Sequence, residues 1–322
     1  MRPPDGRAGG VGGFLILTGP AAGPCPRRRA VLVGLAFLLS FLLARAGAAT
    51  AEEKAVGVLI SREIAPYAAM VEGLESRLNE PVKRFFFDER GQPFTLAGRS
   101  ASFDPKGYDL LVAVGPEALQ YLAPLTDARR LVYGMVLHPR AALRDPPVMP
   151  CGVSLDLPPA TQFAAIRKRL PNLRRLGVLF DPANNQAWFE EAKPLAEAQG
   201  FTLAPLRVNR QGEGLELVGD YTGLDAILFI PDKSVISKAI IQYVIKQGVL
   251  RKTPVIGYNQ FFYDSGAALA FLIDYRGVGE QVAGQAERLL AGGKCEEEAA
   301  PRFELAINQE VWRALGLPEA GR

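Results

Sequence analysis

Short, continuously apolar runs alternate with stretches of helical periodicity along most of the chain, from Ala55 onward. Runs without interleaved polar residues are typical of strands that are covered on both faces, as in parallel sheets. Their alternation with helices predicts a doubly wound α/β fold built on parallel sheets. The predicted strands are AVGVLI (55–60), DLLVAV (109–114), RLVYGMV (130–136), RRLGVLF (174–180), FTLAPLRV (201–208), DAILFI (225–230), TPVIG (253–257) and AALAFL (267–272).

The segments between these runs carry apolar residues at helical spacing, which predicts amphipathic helices. We expect each apolar stripe to pack into a core rather than to bind a ligand. Two such stripes are Trp188, Ala192, Leu195 and Ala196, and Ile236, Ile240, Tyr243 and Val244.

Two distant segments begin alike, which indicates an internal duplication. GVLISREIAPYAAMVEG starts at Gly57 and GVLFDPANNQAWFEEA starts at Gly177, and each joins an apolar run, a polar loop and a helical pattern. The repetition predicts two similar α/β lobes. The stretch between them, from His138 to Leu157, is rich in proline, which fixes φ and removes a ladder donor. We therefore expect this stretch to cross from one lobe to the other.

Length and composition agree with two globular domains. The chain has 322 residues, of which 48% are apolar and 22% are charged. The formal charge of +3 is small, and much of it comes from arginines near the N-terminus. No basic footprint for nucleic acid is implied, and we expect no nucleic-acid partner.

The N-terminal region has the layout of a secretory signal. Arg27, Arg28 and Arg29 precede an uncharged apolar run at 30–44, and the small residues of Ala46-Gly47-Ala48 follow. The run is shorter than the roughly 18–20 residues that a spanning helix needs, although an uncleaved membrane anchor is the alternative. We assign residues 1–50 to an export signal and N-terminal extension and predict a periplasmic protein.

Cysteine usage adds little at this stage. Cys25 precedes the signal core and should be lost with it. Cys151 and Cys295 could pair in an oxidising compartment, but nothing in their sequence context requires a bond. We expect them to be two unpaired, small apolar residues.

Candidate binding residues lie in the loops that follow the predicted strands. In parallel α/β sheets these loops face a crevice, where helix N-termini offer free N–H groups to a ligand. Several candidates have a structural alternative: Asn184 or Asp232 as a helix cap, Glu117 as a partner of its helix dipole, and His138 as a packing residue. The candidates are Ser61, Tyr67, Gly115, Glu117, His138, Asn184, Asn185, Asp232, Tyr258 and Asp274.

Catalytic and cofactor motifs are missing from the sequence. With one histidine there is no HExxH motif and no histidine-rich metal site. No GxSxG elbow or Walker loop occurs, and Gly277-Val278-Gly279 leads to Val282 where a dinucleotide fingerprint needs glycine. We therefore predict no catalytic residues, no metal and no cofactor.

Four ordered segments carry a resemblance to a known family, the ABC-transporter substrate-binding proteins related to the tryptophan/tyrosine-binding group. The chain resembles that family from about Ala55 to Leu317. The four segments are RLPNLRRLGVLFDPANNQ, LDAILFIPDKSVIS, TPVIGYNQFFYDSGAALAFLIDYRGVGEQVAGQAERLLAGG and FELAINQEVWRALGL.

The resemblance implies a type I periplasmic-binding-protein fold, in which two Rossmann-like lobes are joined by hinge crossovers. Residues 54–150 plus about 275–301 would form lobe 1, and residues 151–274 plus about 302–317 would form lobe 2. The implied protein is a monomer without enzymatic activity. Its partners would be a small organic solute, bound between the lobes, and the permease subunits of an ABC importer in the inner membrane.

One departure from the family pattern bears on the solute. The first-lobe loop of the family commonly carries a hydroxyl that can bind a carboxylate, whereas this chain has Gly115-Pro116-Glu117. A negative charge there disfavours an amino-acid carboxylate and favours a solute that bears an amine. Two other functions stay open: a ligand-binding sensory protein that acts with a membrane receptor and, less favoured, an exported α/β enzyme.

Overall fold

The predicted strands form two sheets in a computed structural model that describes residues 55–95, 103–211, 214–218, 222–235 and 237–317. The proposed export signal and Cys25 lie outside these residues. All eight predicted runs contain a strand. The predicted runs did not include the strands β2, β3, β6, β9 and β13, whose bounds are given below, because they are short, polar or lie on an edge. Of these, β13 lies in the segment FELAINQEVWRALGL, which carries the family resemblance.

The first sheet has six strands in the order β3-β2-β1-β4-β5-β6. All neighbours run parallel except β3, which is antiparallel to β2. The central strand β1 is buried along its whole length. The bounds are β1 Val56–Ile60, β2 Val82–Phe87, β3 Pro93–Phe94, β4 Leu110–Val114, β5 Leu131–Val136 and β6 Cys151–Ser154.

The second sheet has seven strands in the order β13-β12-β11-β10-β7-β8-β9. Its five inner strands are parallel, and the edge strands β9 and β13 are antiparallel to their neighbours. The bounds are β7 Arg175–Phe180, β8 Thr202–Gln211, β9 Gly214–Val218, β10 Ala226–Phe229, β11 Val255–Gly257, β12 Leu269–Ile273 and β13 Phe303–Ile307.

Helices cover both faces of each sheet, so successive residues of a strand enter opposite cores. In β7, Val178 and Phe180 enter one core and Leu179 enters the other. This double burial is the reason why the strands are continuously apolar. The α-helices are α1 Ala65–Arg77, α2 Pro116–Leu122, α3 Pro139–Ala142, α4 Pro159–Arg169, α5 Pro182–Ala198, α6 Lys238–Leu250, α7 Gln260–Asp264, α8 Tyr275–Leu290 and α9 Gln309–Ala314, and short 3₁₀ helices occupy Pro105–Gly107 and Ala128–Arg130.

The architecture confirms the predicted fold class, two parallel α/β lobes of the type I periplasmic-binding-protein kind. Two of the predicted core positions are corrected, because Leu195 and Tyr243 are 37% and 55% exposed. Both lie at the margin of a stripe whose other described members are buried in a core or packed against one. No helix among the described residues is long and apolar enough to cross a membrane.

The chain crosses between the sheets at three places. Residues 155–158 lead from β6 to α4, whose Phe163 packs in the core of the second sheet. Asp274 separates β12 of the second sheet from α8, whose Val278 packs under the first sheet, and residues 300–302 lead back to β13. Because β6 pairs with β5, residues 151–154 lie in the first sheet, although the expected lobe boundary precedes them.

Helices α1 and α8 pack so closely that glycine is required between them. A Cβ atom on Gly279 would overlap the carbonyl oxygen of Met70, and one on Gly73 would overlap that of Arg276. Both clashes are with backbone atoms, which cannot rotate away. This contact fixes α8, and with it the crossing at Asp274, against the first lobe.

Cys151 and Cys295 form a disulfide, with their Cα atoms 5.9 Å apart. The expectation that they are unpaired was therefore wrong. Their separation of 144 residues along the chain hid the contact, because only the folding of α8 onto the first lobe brings the segment after it beside β6.

Candidate functional site

A cavity of about 920 Å³ lies where the chain passes between the two sheets. Loops at the carboxyl ends of strands from both sheets line it, together with residues of the first and third crossings and the two residues that flank the second. Its walls contain Leu137, His138, Ser154, Leu155, Asp156, Leu157, Pro158, Pro159, Gln162, Asn184, Asn185, Trp188, Ile230, Pro231, Asp232, Lys233, Tyr258, Asn259, Phe271, Ile273, Tyr275, Glu298, Ala299 and Ala300.

Five of the ten predicted site residues lie in this lining: His138, Asn184, Asn185, Asp232 and Tyr258. They come from the ends of β5, β7, β10 and β11. The rule that strand-end loops converge on a crevice therefore brings together four of the five predicted residues of the second lobe, all except Asp274.

Asp232 organises the second-lobe wall. Its side chain is 4% exposed and accepts hydrogen bonds from the backbone N–H of Asp181 at 2.8 Å and of Ser234 at 2.9 Å. The amides of Asn184 and Asn185 also donate to it, at 3.0 and 2.8 Å. Four donors thus occupy the carboxylate, whose first task is to fix the loop after β10 against the start of α5.

The two asparagines are oriented by that carboxylate. A carboxylate only accepts hydrogen bonds, so the NH₂ groups must face Asp232. Asn184 Nδ2 also donates to Ser234 Oγ at 2.9 Å. The N-cap of α5 is Asp181, which accepts from Ala183 N at 2.9 Å, so the suggestion that Asn184 caps this helix was wrong.

A second polar group stands at the first crossing. His138 Nδ1 lies 3.0 Å from Asp156 Oδ1, and its backbone N–H donates to Asp156 Oδ2 at 2.7 Å. Ser154 Oγ donates to the same oxygen at 2.8 Å. The hydrogen bond that the His138 imidazole donates to Asp156 raises the pKa of His138. Burial by itself raises the pKa of Asp156, but the hydrogen bonds that its carboxylate accepts from His138 and Ser154 outweigh burial, and the pKa of Asp156 is lowered.

Glu298 adds a further acid to the same side of the cavity. Partial burial, and after it the charge of Asp156, raises the pKa of Glu298. Among the described residues Glu298 forms no ion pair, whereas its neighbour Glu297 pairs with Arg140 at 3.0 Å. The cavity wall at this point therefore carries excess negative charge.

Aromatic side chains provide the apolar part of the lining. Trp188, Tyr258, Phe271 and Tyr275 all face the cavity. Burial, helped by the charge of Asp232, raises the pKa of Tyr258 to about 12. Its hydroxyl therefore stays protonated at neutral pH, where it can donate or accept a hydrogen bond.

Four of the five first-lobe candidates, Ser61, Tyr67, Gly115 and Glu117, form a separate group outside the cavity lining. Ser61 Oγ accepts from Ala118 N at 2.9 Å, and a Cβ on Gly115, whose φ is 93°, would lie 2.7 Å from both Ser61 Oγ and Tyr67 OH. Arg62 pairs with Glu117 Oε1. The other oxygen of Glu117, Oε2, is buried and has no hydrogen-bond partner among the described residues.

Asp274 caps a helix instead of lining the cavity. It is the N-cap of α8, where its side chain accepts from Gly277 N at 2.8 Å. Its neighbours Ile273 and Tyr275 line the cavity, whereas Asp274 does not.

Several lining residues escaped the sequence reading. Trp188 was assigned to a core stripe, Asp156 follows β6, which was not among the predicted strands, and Glu298 precedes the third crossing, where no strand ends. The signal for Asp156 was its place inside the proline-rich crossover. No group of three or more metal-binding side chains occurs among the described residues.

The chain belongs to the family of ABC transporter substrate binding proteins, whose sequence pattern matches residues 67–318. The narrower likeness to the tryptophan/tyrosine-binding group stays a prediction. No curated protein sequence matches the chain significantly.

Solved structures share the fold. A substrate binding protein with adhesive properties from Clostridium difficile, in its ligand-free, open structure, is 17% identical with a TM-score of 0.61, covering 83% of this chain and 96% of that one. A sugar-binding protein of a sugar ABC transporter from Bacillus halodurans is 12% identical with a TM-score of 0.51, covering 81% and 99%. At such identities the likeness speaks for the fold alone.

Proposed function

We propose that the protein is the solute-binding component of an ABC importer and binds a small organic solute between its two lobes. The carrying observation is the cavity of about 920 Å³ lined by residues of both lobes and of the first and third crossings. This volume is in the range of small-molecule sites, about 300–1,000 Å³. A solute that contacts both lobes stabilises the closed form, which the permease subunits would recognise.

The polar groups of the cavity favour a solute with hydrogen-bond donors, above all an amine. Because the NH₂ groups of Asn184 and Asn185 are held by Asp232, their carbonyl oxygens remain as acceptors for the solute. Glu298 adds an acid without an ion partner among the described residues. The aromatic residues Trp188 and Tyr258 suit an apolar or cationic moiety.

The first-lobe group would complete the site on closure. Ser61, Tyr67, Gly115 and Glu117 lie at the carboxyl ends of β1 and β4, on the sheet that also supplies His138. The unpartnered oxygen of Glu117 is an acceptor, and burying it without a donor costs free energy. An amine or hydroxyl of the solute would remove that cost. The site thus gives a physical reason for the amine preferred above.

The disulfide favours a protein that is exported to the periplasm. Disulfides persist in oxidising compartments and are rare in the bacterial cytosol. The bond between Cys151 and Cys295 supports the secretory reading of the N-terminus. Mass spectrometry of the N-terminus of the protein recovered from the periplasm would test it, and recovery of the full-length chain from the cytosol would contradict it.

A thermal-shift screen tests solute binding directly. The panel comprises amines, amino acids, nucleosides and sugars. A solute at 100 times its Kd should stabilise the protein by about 2.7 kcal/mol, which raises Tm by roughly 5–11 °C for a protein of this size. Positive solutes are then examined by small-angle scattering, where closure should reduce the radius of gyration.

Two tyrosine variants make a matched pair for this screen. Tyr258→Ala removes an aromatic wall of the cavity and should abolish the shift, whereas Tyr243→Ala removes an exposed tyrosine on α6, outside the cavity, and should leave it unchanged. An equal loss of the solute-induced Tm shift in both variants, or the absence of a shift with every class of solute, would refute the proposal. Turnover of a solute by the purified protein would indicate an enzyme instead.

A further inference from the structure

The disulfide joins two segments that both lead into the cavity. Cys151 opens β6, which continues into the crossing at 155–158. Cys295 precedes residues 296–300, which continue into the crossing at 300–302, and Glu298, Ala299 and Ala300 belong to the cavity wall. The bond therefore connects two of the three crossings at their first-lobe ends.

Apart from the disulfide, hydrogen bonds and the ion pair between Glu297 and Arg140 hold residues 296–300 in place, with little burial of apolar area. These residues lie along β6, an edge strand of the first sheet. Gly152 N donates to Glu296 O at 3.1 Å, Ala299 N to Gly152 O at 2.9 Å, and Ser154 N to Ala299 O at 3.0 Å. Three of the five residues are glutamates, and only Ala299 is buried.

Side chains add a modest number of contacts to this segment. Tyr133 OH donates to Glu297 O at 2.7 Å, Glu296 N donates to the Gln285 side chain at 3.0 Å, and Gln281 Nε2 donates to Ala300 O at 2.9 Å. Burial of apolar area, the largest stabilising contribution in most folds, is nearly absent here. A covalent bond at one end of such a segment raises the probability that its hydrogen bonds stay formed.

We propose that Cys151 and Cys295 are positioning residues of the solute site, whose disulfide holds the cavity wall at 296–300 against β6. Reduction by a dithiol breaks the S–S bond, places two electrons and two protons on the cysteine sulfurs, and converts the dithiol to its cyclic disulfide. The wall is then released while both lobe cores stay folded. The importance of this wall for solute rests on the proposed function, but its release does not.

Hydrogen exchange followed by mass spectrometry tests the release without any solute. The sample is the full chain with Cys25→Ser, so that one cysteine pair remains. Peptides that cover 296–300 and 151–155 should exchange at least tenfold faster after treatment with dithiothreitol, and reoxidation should restore their protection. Peptides that cover β1 and β7 should not change, because these strands lie inside their sheets.

The variant Cys25→Ser/Cys151→Ser/Cys295→Ser is the matched control. Its amide hydrogens should exchange as fast as those of the reduced protein, and dithiothreitol should not change their rates. Alkylation with iodoacetamide should add two groups only after reduction. The proposal is overturned if the thiols react without reduction, if residues 296–300 keep their protection when reduced, or if the strands of both cores lose protection together with the wall.

Discussion

Replacing Asp232 with alanine separates a structural role of this residue from a role in direct solute contact. The substitution removes the acceptor of two backbone amides, Asp181 N and Ser234 N. It also frees the amides of Asn184 and Asn185, but these lie in the cavity and can be hydrated. The backbone amides therefore dominate the expected loss of stability.

The magnitude follows from those two amides. A buried donor that loses its acceptor costs about 1–3 kcal/mol, so we expect Asp232→Ala to lower the free energy of unfolding by about 3 kcal/mol. For a protein of this size, that loss lowers Tm by roughly 6–12 °C. Urea unfolding of the solute-free protein, followed by circular dichroism, measures the change.

Two further variants sharpen the test. Asp88→Ala is the control, because Asp88 also accepts from two backbone amides, of Arg90 and Gln92, but in an exposed turn, where loss should stay below about 1 kcal/mol. Asp232→Asn should give an intermediate loss, since one carboxylate oxygen becomes a donor that faces other donors. If Asp232→Ala lowers the free energy of unfolding no more than Asp88→Ala does, the Asp232 carboxylate does not hold the two loops together and is available to the solute.

Three other predictions test the hinge and the packing. Because the pKa of His138 is raised and that of Asp156 is lowered, their pair stabilises the fold most between about pH 4 and 6.5. Its contribution is lost as pH rises through the folded pKa of His138 or falls through that of Asp156. An NMR titration should place the pKa of His138 above about 6.5 and should show a lower value in Asp156→Asn, and an unchanged pKa in that variant would contradict the pairing. Gly279→Ala should lower the unfolding free energy by about 1–3 kcal/mol or more through overlap with the Met70 carbonyl, and a neutral result in urea unfolding would show that α1 and α8 can separate. Phe163→Ala should cost about 3–5 kcal/mol in the same assay, because its side chain is fully buried in the second-lobe core; a loss below about 1 kcal/mol would show that α4 does not anchor the second lobe.

The elements themselves were readable from the sequence where the pattern is local. A strand such as β4 or β10 is apolar throughout, because both of its faces are covered. The polar residues directly after such strands reach one edge of a sheet, which is why Asn185 and Tyr258 could be placed near a ligand crevice. Other strands were missed because they offer no long apolar run: β3 and β6 have only two and four residues, and β2 carries the exposed Lys83 and Arg84.

The detailed site could not be read in the same way. Asp232 is a conspicuous acid after a strand, but three of its four donors come from a segment that is distant in sequence, and only the structure shows that they occupy its carboxylate. Likewise, His138 meets Asp156 through the turn into the first crossing. Residue type and spacing identify candidates, whereas the hydrogen-bond partners decide what each candidate can still bind.

The sequence by itself determined two parallel α/β lobes, the loops that face outward at their strand ends, and membership of a recognisable family. The tertiary structure alone decided that Cys151 bonds Cys295, that Glu298 belongs to the cavity wall, and that Ser61, Tyr67, Gly115 and Glu117 lie outside the cavity lining. The physical reason is the separation along the chain between the residues that interact. Periodicity records whether each residue faces a core or water, whereas contacts between crossings depend on how α8 returns to the first lobe.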